Sequence, residues 1–141
     1  MIGVTIQREE FDSCLEEFLA LNREHWAEFN KREPQLSMHF LANCVLFTAR
    51  QEGELVGYVV GFACEDPYYS DDVFFMIDMY FVRKTLRGNG VGGSLLDMIE
   101  GYAEVVGART IAVSYNLKQP LEEFYRGRGF EPTHVVMRKG V

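Results

Sequence analysis

Cysteine is scarce in this chain. The 141 residues hold three, Cys14, Cys44 and Cys64, far apart and with no C-x-x-C pair. That argues against a disulfide framework and against a zinc site. The simplest reading is three small, half-buried hydrophobes. His25, His39 and His134 show no ligand spacing either, so no metal is expected; sequence alone leaves a Cys–His nucleophilic pair open. Positive charge is also short. There are 14 Lys and Arg against 21 Asp and Glu, a formal charge of −7. A nucleic-acid binder needs a basic face, so that class is excluded. An acidic surface suits a cationic ligand, though it serves solubility equally well. No apolar run is long enough to span a bilayer. Met1-Ile2-Gly3-Val4-Thr5 lacks the regions of a signal peptide. The expectation is a cytoplasmic protein with no membrane partner.

What is present is enough apolar material for a core: 48% hydrophobic and 13% aromatic residues. The length predicts one domain over residues 1–141. Ile2 to Arg8 reads as a first strand. Phe11, Leu15, Phe18, Leu19, Trp26 and Phe29 fall at helical spacing, so Glu10 to Asn30 reads as one long or two short helices. Lys31-Arg32-Glu33-Pro34 breaks that pattern. Val45 to Arg50, a turn at Glu52-Gly53-Glu54, and Leu55 to Cys64 form a hairpin signal. An acidic, aromatic loop from Glu65 to Asp72 leads to a strand from Val73 to Arg83. A helix follows from Gly90 to Val106, with Gly92, Leu95, Leu96, Ile99, Ala103 and Val106 on one face and Gly107 as its stop. Thr110 to Tyr115 is the next strand, Gln119 to Arg128 a short helix closed by Gly129, and His134 to Lys139 a closing strand. The order predicts an α/β fold: a central mixed, mostly antiparallel sheet with helices on both faces.

The densest signal is Arg87-Gly88-Asn89-Gly90-Val91-Gly92-Gly93, set between a strand and a helix. Glycines let backbone approach a ligand closely. The first amides of a helix have no partner inside it, and the macrodipole places partial positive charge there. Such a junction cradles a phosphate. Gly88-x-Gly90-x-x-Gly93 satisfies the dinucleotide fingerprint, but it follows several antiparallel-type strands, and Ser114-Tyr115-Asn116 supplies no carboxylate for a ribose. The Walker A pattern is absent. A purely structural turn needs one or two glycines. Here four crowd the junction, three of them at or inside the helix start, where each costs about 1 kcal/mol relative to alanine.

Arg87-x-x-Gly90-x-Gly92 resembles the Q/R-x-x-G-x-G/A motif of the GNAT-superfamily N-acetyltransferases. Met79-Tyr80-Phe81-Val82 is similar to the strand that pairs with the pantetheine arm in that family. Asn116 stands where the family often has an asparagine near the cofactor, and Phe124-Tyr125-Arg126-Gly127-Arg128-Gly129-Phe130 is similar to its F-Y-x-x-x-G-F ending. The resemblance covers Leu55 to the C-terminus well, and the first third only by its order of elements. It implies the GNAT fold and acetyl-CoA as cosubstrate. Tyr80, Phe81, Val82, Arg87, Gly88, Asn89, Gly90, Val91, Gly92, Gly93, Asn116 and Tyr125 would hold the cofactor.

The implied reaction moves an acetyl group from a thioester to an amine. An alkyl ammonium has a pKa near 10.4 and no lone pair, so a base must help at neutral pH. Asp78 interrupts the apolar strand and is the candidate base; burial would raise its pKa as a base requires. The resemblance makes Tyr125 the candidate acid at the departing sulfur, and assigns thioester polarisation to a backbone N–H between Met79 and Val82. Glu65, Asp66, Tyr68, Tyr69 and Asp78 are candidate contacts for a cationic acceptor. The stretch Phe62 to Tyr69 resembles diamine acetyltransferases and small phage-encoded GNAT proteins, though Met79 stands where the diamine enzymes have a second acidic residue. The favoured reading is an N-acetyltransferase for a small cationic amine, polyamine- or aminoglycoside-like. A lysine or N-terminal acetyltransferase and a non-catalytic acyl-CoA-binding module stay open. A homodimer is compatible with the sequence, which shows no interface signature distinct from a core.

Overall fold

The computed structural model describes residues 3–29, 32–119 and 121–141. In chain order the elements are β1 (Val4–Glu9), α1 (Phe11–Glu28), α2 (Met38–Leu41), β2 (Val45–Gln51), β3 (Glu54–Glu65), β4 (Val73–Val82), α3 (Val91–Val105), β5 (Ala108–Val113) and α4 (Glu122–Arg126). A 3₁₀ turn, Lys84–Leu86, joins β4 to the glycine segment. The strands lie in sequence order in one five-stranded sheet. The β1–β2, β2–β3 and β3–β4 pairings are antiparallel and β4–β5 is parallel. This is the expected mixed, mostly antiparallel sheet.

Alternation along the strands sends side chains to two apolar layers. Val59, Phe75 and Ile77 pack under α3, whose Leu95, Leu96, Ile99 and Ala103 are fully buried at helical spacing. Tyr58, Val60, Met79 and Phe81 face the other way, onto Phe18 and Leu21 of α1 and Leu41 of α2. Helices therefore cover both faces. Each fully buried Leu or Ile contributes about 1.5–3 kcal/mol of transfer free energy, so the α3 stripe is a large share of the fold's stability.

The local chemistry explains most element ends. Glu52 (φ 51°) and Gly53 (φ 82°) are both left-handed, which is what a two-residue hairpin joining β2 to β3 demands. Gly107 (φ 85°) ends α3, and Ala108 pairs with Val73 immediately afterwards. That is why β5 starts and stops two residues earlier than expected. After α4, Gly129 is left-handed (φ 92°), its N–H bonds to the Arg126 carbonyl, and the Phe130 N–H reaches the Tyr125 carbonyl, both at 3.0 Å. This is a Schellman closure, and it places the functional end of α4 at Arg128 although regular helix stops at Arg126.

The observed elements refine or depart from the expected ones at four points. The first strand starts at Val4; the Ile2 end of that expectation lies outside the described residues. The N-terminal helical stretch is one helix bent at Cys14 (φ −141°, ψ 20°), and Asn30, its expected end, also lies outside the described residues. The one-turn helix α2 was not anticipated, because four residues are too few to show a period. It is started by Ser37, whose side chain accepts the Phe40 N–H at 3.2 Å. The closing strand at His134 to Lys139 is not formed. A strand exists only where its backbone finds a partner, and this segment joins no ladder, with Val135, Val136 and Met137 at 86%, 79% and 89% exposure.

Candidate active site

The sheet splits beside Asp78, the carboxylate inside β4. The parallel β4–β5 ladder runs from Val73 to Ile77 and stops at the pair Ile77–Val113. β4 continues to Val82, still paired with β3 on its other side. From Asp78 to Val82 the edge of β4 that faces away from β3 is therefore uncovered by β5. At the same place the β3–β4 register slips: Gly61 faces Ile77 and Val60 faces Met79, leaving Asp78 as the extra residue of a bulge. The slip flips the alternation. Ile77 lies in the α3 layer and Met79 in the α1 layer. The open edge runs from this bulge to the glycine turn, and a cleft of about 300 Å³ is lined there by Tyr80, Phe81, Val82, Arg87, Gly88, Gly90, Gly92, Gly93, Gln119, Leu121 and Phe124.

Three of the four glycines have identifiable reasons. Gly88 (φ 82°) and Gly90 (φ 81°) are left-handed. A methyl on Gly92 would strike the Tyr80 hydroxyl. Gly90 is the N-cap of α3 and offers no capping side chain. The helical ladder starts at Ser94, whose N–H bonds to the Gly90 carbonyl at 3.1 Å, so the amides of Val91, Gly92 and Gly93 precede it. Asn89 fastens the turn by donating to the Leu86 and Arg87 carbonyls at 3.2 and 3.3 Å. Arg87 ties it to both layers: its Nε donates to the Val82 carbonyl at 2.8 Å, and its Nη2 pairs with Glu28 at 2.7 Å. The result is an uncapped helix start whose first three amides have no partner within the helix, the arrangement of an anion cradle.

Tyr125 lies behind the cleft. It is 4% exposed and sits among Tyr80, Tyr115, Phe124 and Phe130, with centroids 5.5–6.5 Å apart. Burial pushes its pKa well above that of a free phenol. Tyr80 is shifted by the same cause, to about 12. Both hydroxyls therefore stay protonated through the neutral range and serve as donors.

Asp78 is solvent-exposed, contrary to the expectation of a buried carboxylate. The bulge explains this, since it presents the residue on the sheet surface instead of inside a layer. Partial desolvation still pushes its pKa upward. Of the acidic loop, Tyr68 and Tyr69 are 79% and 68% exposed. Asp66 is buried and its Oδ1 accepts the Tyr68 and Tyr69 amides at 2.8 and 3.1 Å. That carboxylate is spent on the loop's own shape, whereas Glu65 is exposed. Asn116 is similarly engaged, accepting the Lys118 amide at 2.9 Å, and does not line the cleft.

Sequence reasoning missed two features. Gln119, Leu121 and Phe124 line the cleft, and only the fold brings this loop and the start of α4 there. A buried polar cluster lies under α1: Asn22 donates to the Tyr58 hydroxyl at 2.9 Å and His25 Nδ1 meets the same oxygen at 2.6 Å. Polar residues at positions 22 and 25, on the face that carries Phe18 and Leu21, were a legible signal.

A mixed sheet that opens beside an uncapped, glycine-rich helix start is built to hold an extended, phosphate-bearing ligand. The model of the acetyltransferase (GNAT) family matches residues 8–130, and the chain belongs to that family. Members transfer acyl groups, with acetyl-CoA as the cosubstrate. The fold is shared with a Pyrococcus furiosus protein described as an acetyl transferase, at 24% identity and a TM-score of 0.78 over 98% of this chain and 99% of that one. An aminoglycoside acetyltransferase from an uncultured soil metagenomic sample, crystallised with trehalose, matches at 18% identity and TM-score 0.78, covering 98% and 96%. Glucosamine-6-phosphate N-acetyltransferase from Arabidopsis thaliana matches at 12% identity and TM-score 0.74, covering 97% of each chain. No curated protein sequence matches the chain. Among the described residues no helix is long and apolar enough to cross a membrane.

Proposed function

We propose that this protein acetylates a small cationic amine. The observation that carries this reading is the coincidence of three features on one strand: the open edge of β4, the bulge at Asp78, and the anion cradle at the strand's far end. Amides of Val91, Gly92 and Gly93 would hold the pyrophosphate of acetyl-CoA. The pantetheine arm would lie along Tyr80, Phe81 and Val82, adding main-chain bonds where β5 supplies none. The thioester would then lie near the bulge.

Asp78 then stands at the reacting end, on the α1 side of the sheet. Its carboxylate attracts the acceptor ammonium and takes a proton as the nitrogen attacks. Partial desolvation raises its pKa, which strengthens it as a base. The carbonyl oxygen gains negative charge as the C–N bond forms, and an amide of the Met79 to Val82 edge would stabilise it. The C–S bond breaks and the sulfur leaves. A phenol near pKa 10 giving its proton outright to a thiolate near 8.5 would be uphill by about 2 kcal/mol, and more for a buried one. Tyr125 therefore acts by donating a hydrogen bond to the departing sulfur; the nitrogen loses its second proton as the amide forms and that proton completes the thiol, while the first, held by Asp78, passes to solvent.

The acceptor class rests on charge. The exposed Glu65, Tyr68 and Tyr69 offer a carboxylate and two aromatic rings in the loop that leads into β4. The aminoglycoside acetyltransferases among the structural neighbours act on amines of this kind. Nothing in that loop distinguishes a polyamine from an aminoglycoside. The test is thiol release from acetyl-CoA with polyamines, aminoglycosides, amino acids and lysine peptides. Turnover with a polycationic small amine, suppressed in Asp78→Asn, is the expected result. Turnover with peptides alone would move the assignment to a protein acetyltransferase. Tight acetyl-CoA binding without turnover for any amine would leave a binding module.

A further inference from the structure

The Tyr125 hydroxyl can serve a sulfur only from one place, and the helix that carries it is too short to hold that place alone. α4 has five residues, Glu122–Arg126. A helix of that length is not stable by its own hydrogen bonds. Arg126 pairs with Glu122 inside α4 at 3.1 Å, which ties the helix to nothing outside it. The Tyr115 hydroxyl donates to Glu122 at 3.2 Å and tethers only the start of the helix. The Tyr125 ring packs on Tyr80, Tyr115, Phe124 and Phe130, but Phe124 and Phe130 flank it in the chain and would move with it. Ring contacts are also tolerant, since offset and edge-on arrangements are favourable over a range of separations.

Arg128 supplies directional bonds. Its Nη2 donates to Asp97 at 2.6 Å and to Glu100 at 2.7 Å, and its Nε donates to Glu100 at 3.2 Å. Asp97 and Glu100 stand three apart on α3 and so share a face. The guanidinium is planar, and three bonds to two carboxylates fix its orientation. The Arg128 and Glu100 side chains are 21% and 25% exposed, so the bond between them is partly sheltered from water. On the other side, the Arg128 and Phe130 amides both donate to the Tyr125 carbonyl, at 3.0 Å each. Few bonds therefore separate α3 from the phenol. Gly93, the fourth glycine of the turn, belongs to the same arrangement. A Cβ there would stand 3.8 Å from Arg128 Nη1, so the missing side chain leaves the flank of α3 open to the guanidinium.

We propose that Arg128 is a positioning residue: by clamping the end of α4 to Asp97 and Glu100, it sets the Tyr125 hydroxyl at the cofactor's sulfur. This rests on the acetyl-transfer reading above. Arg128 is not among the residues lining the cleft and acts only through Tyr125. α3 also begins at the anion cradle, so one helix would hold the cofactor's phosphates and set the register of the phenol. Hydrogen bonds weaken steeply with misalignment. The bond from Tyr125 matters most when the sulfur carries charge, so a loosened clamp lowers kcat and spares the binding of acetyl-CoA.

A double-mutant cycle tests this. Arg128→Gln should lower kcat about fivefold, less than removal of the hydroxyl itself, with the KM for acetyl-CoA unchanged. In a Tyr125→Phe background the same substitution should change kcat by less than about twofold. Equal losses in both backgrounds would make Arg128 a support of the fold, and no loss in either would make the clamp idle; both results overturn the proposal. Glu100→Gln opens the clamp from the α3 side, should give the same pattern, and takes the place of Arg128→Gln should that variant not fold. A wild type that turns over no amine would defeat the acetyl-transfer reading, and nuclear magnetic resonance of isotope-labelled tyrosine then decides the clamp. The Tyr125 ring signal, assigned by its loss in Tyr125→Phe, should shift when coenzyme A saturates the wild type and shift less in the Arg128 or Glu100 variant. The same shift in both proteins, or none in the wild type, overturns it.

Discussion

The two halves of the sheet are built differently. From β1 to β4 the strands are laced along nearly their whole length, and both faces are covered by buried side chains from helices. β5 meets β4 over only half of that strand, and the remainder of the edge is left open. The laced half is sealed at its outer rim as well. Arg50 reaches Glu9 on β1 and Glu17 on α1 at 2.8–3.0 Å. The split half holds the glycine turn, Asp78 and Tyr125. The contrast separates a part that carries stability from a part that carries chemistry, and it can be broken from either side.

The largest effect is expected in the laced half. Leu95 is fully buried in the α3 layer. Leu95→Ala should cost about 3 kcal/mol, by lost transfer energy plus the cavity left behind. Urea unfolding would read this as a lower midpoint at unchanged slope. Acetyl-CoA affinity per folded molecule should hold; a loss of affinity larger than the loss of folded protein would blur the division.

Asp78→Asn should show the opposite pattern, with activity falling about 100-fold at neutral pH, the usual scale for a lost general base. Stability should hold or rise slightly. The sign follows from the raised pKa: a carboxylate harder to ionise when folded costs stability, which is lost as pH rises from the ordinary carboxyl range to the raised value and stays lost above it, and asparagine removes the penalty. In the wild type, activity should fall on the acid side as Asp78 protonates, and that limb should vanish in the variant. An unchanged limb would assign the base elsewhere.

The rim of the laced half is next. The guanidinium of Arg50 holds the Glu9 carboxyl at about 2, against an ordinary value of 4.5. The stabilisation is complete above the ordinary value and is lost as pH falls from there towards 2. Glu9→Gln should cost on the order of 2 kcal/mol at pH 7, discounted for partial exposure, and almost nothing near pH 2. Melting curves of both proteins across that range should converge at the acid end. A constant gap would make the effect one of packing.

The difference between the halves also decides what the sequence could reveal. Period-three-and-four spacing gave the α3 stripe, and the Glu52-Gly53 turn gave the β2–β3 hairpin, because these signals are local. The glycine turn was legible for the same reason. Asp78 stood out as a carboxylate in an apolar strand, but its exposure depends on a slip against Val60 and Gly61, which no window around residue 78 contains. Asn116 and Asp66 read as ligand contacts by type and place, yet both side chains fold back on amides two residues away. The expected last strand failed because a strand needs an edge as well as a propensity.

The smallest effect expected is at Tyr125, and it tests where the two halves meet. Its ring packs on Tyr115 and Phe130 and belongs to the core, while its hydroxyl is available to the chemistry only if the sulfur comes near. Phenylalanine preserves the ring contacts, so Tyr125→Phe should leave the melting temperature within a degree or two and the KM for acetyl-CoA nearly unchanged. One neutral hydrogen bond to a departing sulfur is worth about 1.4 kcal/mol, so kcat should fall about tenfold. Because the phenol stays protonated well past neutrality, the loss should be the same from pH 6 to 9. A loss that grew with pH would mean that the wild-type hydroxyl transfers its proton outright. No loss at all would return Tyr125 to the core and leave the leaving group to solvent.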